Sequence, residues 1–211
     1  MSSSPIKNII FDVGQVFAAY DPGYITDQIL GVTPHKQTYI DTLFLNPIWH
    51  ALDRGDITPE EAIDALVEKH SFTEPQKHDL AKLLDNFAHH IGLIEGSRDI
   101  YLDLMAQGFP IYLLSNFQDK PFAQLVERFT FLNDSHGKVI SARVKMMKPE
   151  PEIYRHLAAE YNLVPQECVF IDDLADNIAA AEAEGFQGIL FVNPSQLAAD
   201  LAAKNIFVSL A

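Results

Sequence analysis

Three carboxylates, a hydroxyl and an ammonium stand at or just past the ends of short apolar runs that lie far apart in the chain. Asp12 follows Ile9-Ile10-Phe11, Ser115 follows Ile111-Tyr112-Leu113-Leu114, and the pair Asp172-Asp173 follows Val169-Phe170-Ile171. Lys148 comes after a weaker run at Val139-Ile140-Ser141. Short apolar runs of this kind read as buried strands. In a parallel sheet the carboxyl ends of the strands face one crevice, and ligands bind there. The five groups then converge on one pocket, a donor set suited to a divalent metal and a phosphate.

The elements that must position these groups follow from the pattern between them. From residue 95 onward helix and strand signals alternate, the signature of a doubly wound parallel sheet. Glu95-Gly96-Ser97 opens a helix that runs through Met105 and stops near Gly108. A strand over 110–114, a helix over about 120–132 and the strand at 139–141 come next. Ile153, Leu157 and Tyr161 share one face of a helix over Glu150–Asn162. After the strand at 168–171, a helix over 175–184 ends at Gly185, where a left-handed residue is expected. Gly188–Val192 as a strand, a helix from Ser195 and a last strand at Ile206-Phe207-Val208 complete the sheet. Residues 17–93 carry helix signals and no strand signal. Thr58-Pro59-Glu60-Glu61 is a capping box with proline at the first helical position. Ala62, Ile63, Leu66, Val67 and His70 then repeat at helical spacing, and a second amphipathic helix spans about 74–87.

Four segments in this order resemble the motifs of the haloacid dehalogenase-like hydrolase superfamily. They are Ile10-Phe11-Asp12-Val13-Gly14-Gln15-Val16, Leu113-Leu114-Ser115-Asn116, Lys148-Pro149-Glu150-Pro151-Glu152-Ile153-Tyr154 and Phe170-Ile171-Asp172-Asp173-Leu174-Ala175-Asp176-Asn177. The resemblance implies an α/β, Rossmann-like hydrolase core made of residues 1–16 and 94–211, with residues 17–93 as an all-helical cap. The run Trp49-His50-Ala51-Leu52-Asp53-Arg54-Gly55-Asp56-Ile57-Thr58 is similar to caps of one subgroup. It further implies a phosphatase in which Asp12 attacks phosphorus and forms an aspartyl-phosphate. Mg²⁺ is expected on Asp12, the Gly14 carbonyl, Asp172 and Asp173, with Asp173 the firmer ligand, and Asn177 orienting the ligands. Ser115 and Asn116 are expected to hydrogen-bond the phosphate, while Lys148 neutralises the charge that gathers on it.

Position 14 departs from the pattern. Most phosphatases of this superfamily carry a second Asp two residues after the nucleophile as general acid and base, and here Gly14 stands there. The resemblance is then to a subgroup with an Asp-x-Gly first motif that includes sugar-phosphate phosphatases. The expected substrate is a small phosphorylated metabolite with a good leaving group, a sugar phosphate or an acyl phosphate, unless a cap residue supplies the proton. Tyr20, Asp21 and His50 are the candidates for that role. Two other readings stand beside this one. A C–halogen hydrolase would use the same aspartate, but would leave the Asp172-Asp173 pair without a metal to hold. A phosphate-binding or regulatory protein would have little turnover.

Composition sets the outer limits. The chain has 211 residues, 48% of them hydrophobic, which suits a soluble domain with a sizeable core. No run approaches the length of a membrane span. Met1-Ser2-Ser3-Ser4-Pro5 has neither the basic nor the apolar region of a signal peptide and reads as a short tail, so a cytoplasmic location is expected. One cysteine, Cys168, excludes an internal disulfide and is expected to be a core residue. A net charge of −14 with no basic run argues against nucleic acid as a partner. A monomer or weak homodimer is expected.

Overall fold

The computed structural model describes residues 5–209, so the expected N-terminal tail falls outside them except for Pro5. The strands are β1 (Asn8–Phe11), β2 (Ala18–Ala19), β3 (Gly92–Leu93), β4 (Ile111–Ser115), β5 (Gly137–Ile140), β6 (Cys168–Asp172) and β7 (Gln187–Leu190). Among the described residues, five of them form a sheet in the order β5-β4-β1-β6-β7, parallel throughout. Helices cover both faces, which gives the Rossmann-like α/β fold expected from the alternating pattern.

Strand β1 sits at the centre because it has apolar side chains for both faces. Ile9, Ile10 and Phe11 are each fully buried. Successive side chains alternate across a strand. Ile9 and Phe11 therefore join one apolar cluster, with Leu113, Ile171 and Tyr101, while Ile10 joins the other, with Leu114, Phe170 and Tyr154. The buried Cys168 belongs to this second cluster, as expected of a small core residue. Register does the rest. Phe11 pairs with Leu113 on β4 and with Ile171 on β6, so Asp12, Ser115 and Asp172 emerge along one edge of the sheet.

Between β1 and β4 the chain is mostly helical: Pro22–Leu30, Pro47–Arg54, Pro59–His70 and Glu74–Asn86, with shorter turns between. The capping box at Thr58 and Glu61 is formed, and Thr73 with Gln76 makes a second. Leu52, Leu66, Leu80, Leu83 and Phe87 from these helices lie in the same apolar cluster as Ile9 and Phe11. The helical segment and one face of the sheet thus share a core. None of the helices among the described residues is long and apolar enough to cross a membrane.

Several details differ from the sequence pattern. Residues 17–93 do contain strands: Ala18–Ala19 pairs antiparallel with Gly92–Leu93, drawing together the two ends of the helical segment. Two-residue strands leave no alternation to read. Strand β5 starts two residues earlier than expected and ends one earlier. At Gly137 a Cβ would come within 2.3 Å of the Tyr161 ring, so the strand passes there only as glycine. Ser141 opens a short helix rather than ending the strand, because its hydroxyl accepts from Phe117 N–H at 2.9 Å. The helix expected over 120–132 ends at Arg128 and tightens into a 3₁₀ turn at Thr130–Asp134. Residues 206–208 are not a strand. Side chains of the preceding helices hold that segment instead of a ladder: Gln107 Nε2 donates to the Phe207 carbonyl at 2.8 Å, and Ser209 N–H to Asp103 at 2.7 Å.

The helix Pro47–Arg54 ends at Gly55 with φ +71°, in close contact with the core. A Cβ there would lie 2.9 Å from the Ala142 carbonyl. Gly55→Ala is expected to lower stability by about 2 kcal/mol or more, from both the left-handed backbone and the clash. Gly108→Ala, at φ +85° with nothing within 4 Å, should cost only about 1 kcal/mol. Urea unfolding of the two variants checks the difference.

Candidate active site

At the edge of the sheet where these strands end, Lys148 is the organising group. It is 3% exposed, and its ammonium lies 2.8 Å from Asp12 and 2.6 Å from Asp172. The Phe170 ring lies 5.4 Å beneath the ammonium and adds a cation–π contact. The loop that carries Lys148 is held by Asn116. Its Nδ2 donates to the Lys148 carbonyl at 2.9 Å, and its Oδ1 accepts from the Lys148 N–H at 2.8 Å. Asn116, expected from the sequence to hydrogen-bond a phosphate, also uses both of its side-chain polar atoms to hold Lys148. Its second amide hydrogen and its backbone N–H remain for a ligand.

The two carboxylates of β6 divide. Asp172 is fully buried and uses both oxygens. One takes Lys148; the other accepts from Leu174 N–H and from Asn177 Nδ2, each at 2.9 Å. Asn177 thus sits where an orienting group was expected, its own carbonyl accepting from Tyr154 at 2.9 Å. Asp173 is half-buried and lines the cavity above, as do Asp12 and Gly14. One oxygen each of Asp12, Asp172 and Asp173 lies within 4.8 Å of the others. Three carboxylates against one ammonium leave two negative charges in excess. Hard oxygens at that spacing with that surplus fit a divalent cation such as Mg²⁺. Burial pushes the Asp12 carboxyl up to about 7, with Lys148 opposing and Asp172 and Asp173 adding to the rise. The same causes, burial first, raise Asp173. Both shifts mark a site short of positive charge.

Ser115 ends β4 with its hydroxyl buried and without a partner. The cap candidates separate clearly. Asp21 is exposed and caps the helix Pro22–Leu30 by accepting from Tyr24 N–H at 3.0 Å; it does not reach the cavity wall. His50 is exposed at the cavity mouth. Tyr20 is in the wall, its backbone held by Gln15 and its hydroxyl buried and unpartnered. Trp49, Phe87, Ile91, Phe117 and Leu174 form the apolar part of the wall of a cavity of about 230 Å³, with Gln15 and Asn116 among its polar lining. Trp49 packs edge-on to Phe87 at 4.9 Å and against Tyr20 at 5.9 Å.

Asp53 completes this wall, and sequence reading did not single it out. The signal available was its spacing, one helical turn after Trp49, which places both on one face. The Gln118 amide donates to its carboxylate at 3.3 Å. Burial pushes the carboxyl up to about 8, with Gln118 opposing.

A family model described as haloacid dehalogenase-like hydrolase matches residues 36–185, from within the helical segment to past Asn177 and leaving Asp12 outside the match. The chain belongs to this family. It is 25% identical to a sesquiterpene phosphatase of Aspergillus oryzae over 87% of this chain and 88% of that one. It is 26% identical to flavin mononucleotide hydrolase 1 of Arabidopsis thaliana over 77% of this chain, and spans 64% of that relative's length. Among solved structures, a family enzyme of Bacteroides thetaiotaomicron in complex with magnesium and inorganic phosphate superposes with a TM-score of 0.71. The match is 22% identical and covers 89% of this chain and 95% of the other. The likeness establishes the shared fold of the hydrolase.

Lys148→Met would leave two buried carboxylates facing each other without a cation. The expected loss of stability is about 3–5 kcal/mol at pH 8. Without the ammonium, which opposes the rise, the folded-state pKa of Asp12 lies still further above its unfolded value, so the deficit shrinks as pH falls and Asp12 protonates. Thermal melts of both proteins between pH 5 and 8 read this out.

Proposed function

We propose that this hydrolase is a Mg²⁺-dependent phosphatase of small organic phosphate monoesters, working through an aspartyl-phosphate on Asp12. One observation carries the reading: the Asp12 carboxylate lies at a strand end beside a buried lysine and two further carboxylates, facing a cavity. Asp12 is the nucleophile. Its backbone is fixed by β6 through Asp12 N–H to the Ile171 carbonyl at 2.9 Å, and Val13 N–H donates to its Oδ1 at 2.7 Å. A carboxylate so oriented attacks phosphorus with little reorganisation. Lys148 stabilises the charge that develops between Asp12 and the phosphoryl oxygens. The buried Ser115 hydroxyl and backbone N–H groups of the following loop serve the phosphate. Asp12, Asp173, Asp172 and the Gly14 carbonyl would hold Mg²⁺, and Mg²⁺ supplies the charge neutralisation that phosphoryl transfer requires. Residues 17–93 act as a cap whose wall excludes water.

The wall also bears on the substrate. Trp49, Phe87, Phe117, Ile91 and Leu174 present few partners for sugar hydroxyls, which favours an organic group with apolar surface over a polyhydroxylated one. The name of one relative, a sesquiterpene phosphatase, points the same way, while that of another, a D-ribitol-5-phosphate phosphatase of Bacteroides thetaiotaomicron, points to a polyol.

Hydrolysis of p-nitrophenyl phosphate is expected to require Mg²⁺ and to fall to background in Asp12→Asn. Mg²⁺ at 100 times its dissociation constant should stabilise the fold by about 2.7 kcal/mol, and Asp173→Ala should abolish that shift. No turnover with or without the metal would transfer the weight to a phosphate-binding or regulatory role.

A further inference from the structure

Gly14 leaves the reaction without an acid at the position two residues after the nucleophile, yet that position is not closed to a side chain. A Cβ on Gly14 would meet only Asp12 Oδ2, at 4.0 Å, and its backbone is not left-handed. The proton must come from another wall of the cavity. We propose that Asp53 is the general acid and base of this phosphatase, handing a proton to the leaving oxygen and later taking one from water. The proposal rests on the phosphatase reading above and adds to it the residue that moves the proton.

Four observations support it. Asp53 lines the same cavity as Asp12 and Lys148, from the opposite, helical side. Among the described residues it makes no ion pair, and its side-chain partner is the neutral Gln118 amide. A carboxyl set among Tyr20, Trp49 and Phe117 without a cation keeps its proton near neutral pH, and its raised pKa agrees. Its position is fixed from three sides. Its carbonyl accepts from the Ser141 hydroxyl, Arg54 pairs with Glu150, and Gly55 abuts Ala142. A catalytic acid needs this rigidity. The groups that face it are the Tyr20 hydroxyl, His50 one turn earlier on its own helix, the Gln118 amide and, across the cavity, Lys148 and Asp12. Tyr20 holds its proton too firmly for the role, since burial and Asp53 raise it well above its ordinary range.

The steps balance. Asp12 oxygen bonds to phosphorus, the bond from phosphorus to the leaving oxygen breaks with its electron pair on that oxygen, and the Asp53 proton passes to it. Water oxygen then bonds to phosphorus, the Asp12–phosphoryl bond breaks, and ionised Asp53 takes the water proton. Asp12 is regenerated, and inorganic phosphate and an alcohol are released.

The test compares kcat/KM for p-nitrophenyl, phenyl and primary alkyl phosphates with Mg²⁺. In Asp53→Asn the loss is expected to grow along the series, reaching about 10²- to 10⁴-fold for the alkyl ester. Asp53→Glu, which keeps the proton, should recover part of it. In the wild type, the alkyl rate relative to the p-nitrophenyl rate should fall as pH rises through about 8, as Asp53 ionises. Titration of Asp12 or Lys148 affects both esters and cancels in the ratio. This second measurement stands even if Asp53→Asn does not fold. An equal loss on all three esters would reduce Asp53 to a structural role, and a graded loss in Tyr20→Phe but not Asp53→Asn would move the acid to Tyr20. Absence of turnover in the wild type on every ester would instead overturn the phosphatase reading, before any variant is made.

Discussion

Most of this site depends on one buried ammonium. Taking Lys148 out of water costs several kcal/mol, and the cost is recovered only by well-placed opposite charge. Asp12 and Asp172, on adjacent strands, supply it at 2.8 and 2.6 Å. Their separation is set by the register of β1 on β6, which in turn is set by the burial of Ile9, Ile10 and Phe11 on both faces. Placing the nitrogen to that accuracy needs a fixed backbone around Lys148. Asn116 provides it from the end of β4, with one bond from each of its amide's polar atoms. The packing of the sheet and the electrostatics of the site are therefore one constraint. The ammonium does not balance the cluster alone, and the surplus of negative charge is what makes the site receptive to a divalent cation.

The helical segment is tied to this arrangement at its most chemical point. Arg54 reaches Glu150, two residues past Lys148, and Glu150 Oε2 also accepts from Met147 N–H at 3.2 Å. Ser141 bridges the Asp53 carbonyl and Phe117 N–H. The wall of the cavity is thus fastened to its floor by the loops that carry the floor's own residues. A shared apolar cluster supports the joint from behind.

What could be read in the sequence follows from which signals are local. Strand ends, helix periods and capping residues lie within a few residues of one another, so Asp12, Ser115, Lys148, Asp172 and the helices at Pro59–His70 and Glu74–Asn86 were all legible. The tertiary consequences were not. Nothing in the chain shows that Asn116 also holds the backbone of Lys148, 32 residues later. The ribbon of Ala18–Ala19 with Gly92–Leu93 joins segments too short to carry a pattern. At Ile206-Phe207-Val208 the β-branched and aromatic residues read as a strand, but Gln107 and Asp103 take up the backbone groups that a ladder would need. Asp53 was hidden because an acidic residue near the end of an amphipathic helix is ordinarily solvated, and only the packing of Trp49, Phe117 and Gln118 shows this one facing inward.

The cavity holds two kinds of carboxylate, and their surroundings assign them opposite tasks. Asp12 and Asp173 lie where the sheet gathers charge; burial raises both pKa values, the Lys148 ammonium opposes the rise, and a divalent cation held by the cluster would favour their ionised forms. Asp53 lies across from them against aromatic rings, with an amide as its partner, and there the neutral acid is favoured. A nucleophile must be ionised and a proton donor must not be; one fold satisfies both by placing the first group on the sheet edge and the second on the helical wall. With the donor on that wall, position 14 is free to be glycine. The proton then comes from the same side as the residues that contact the organic group, so the shape of that group determines how well its leaving oxygen meets the acid. In this arrangement substrate selection and proton transfer are parts of the same contact.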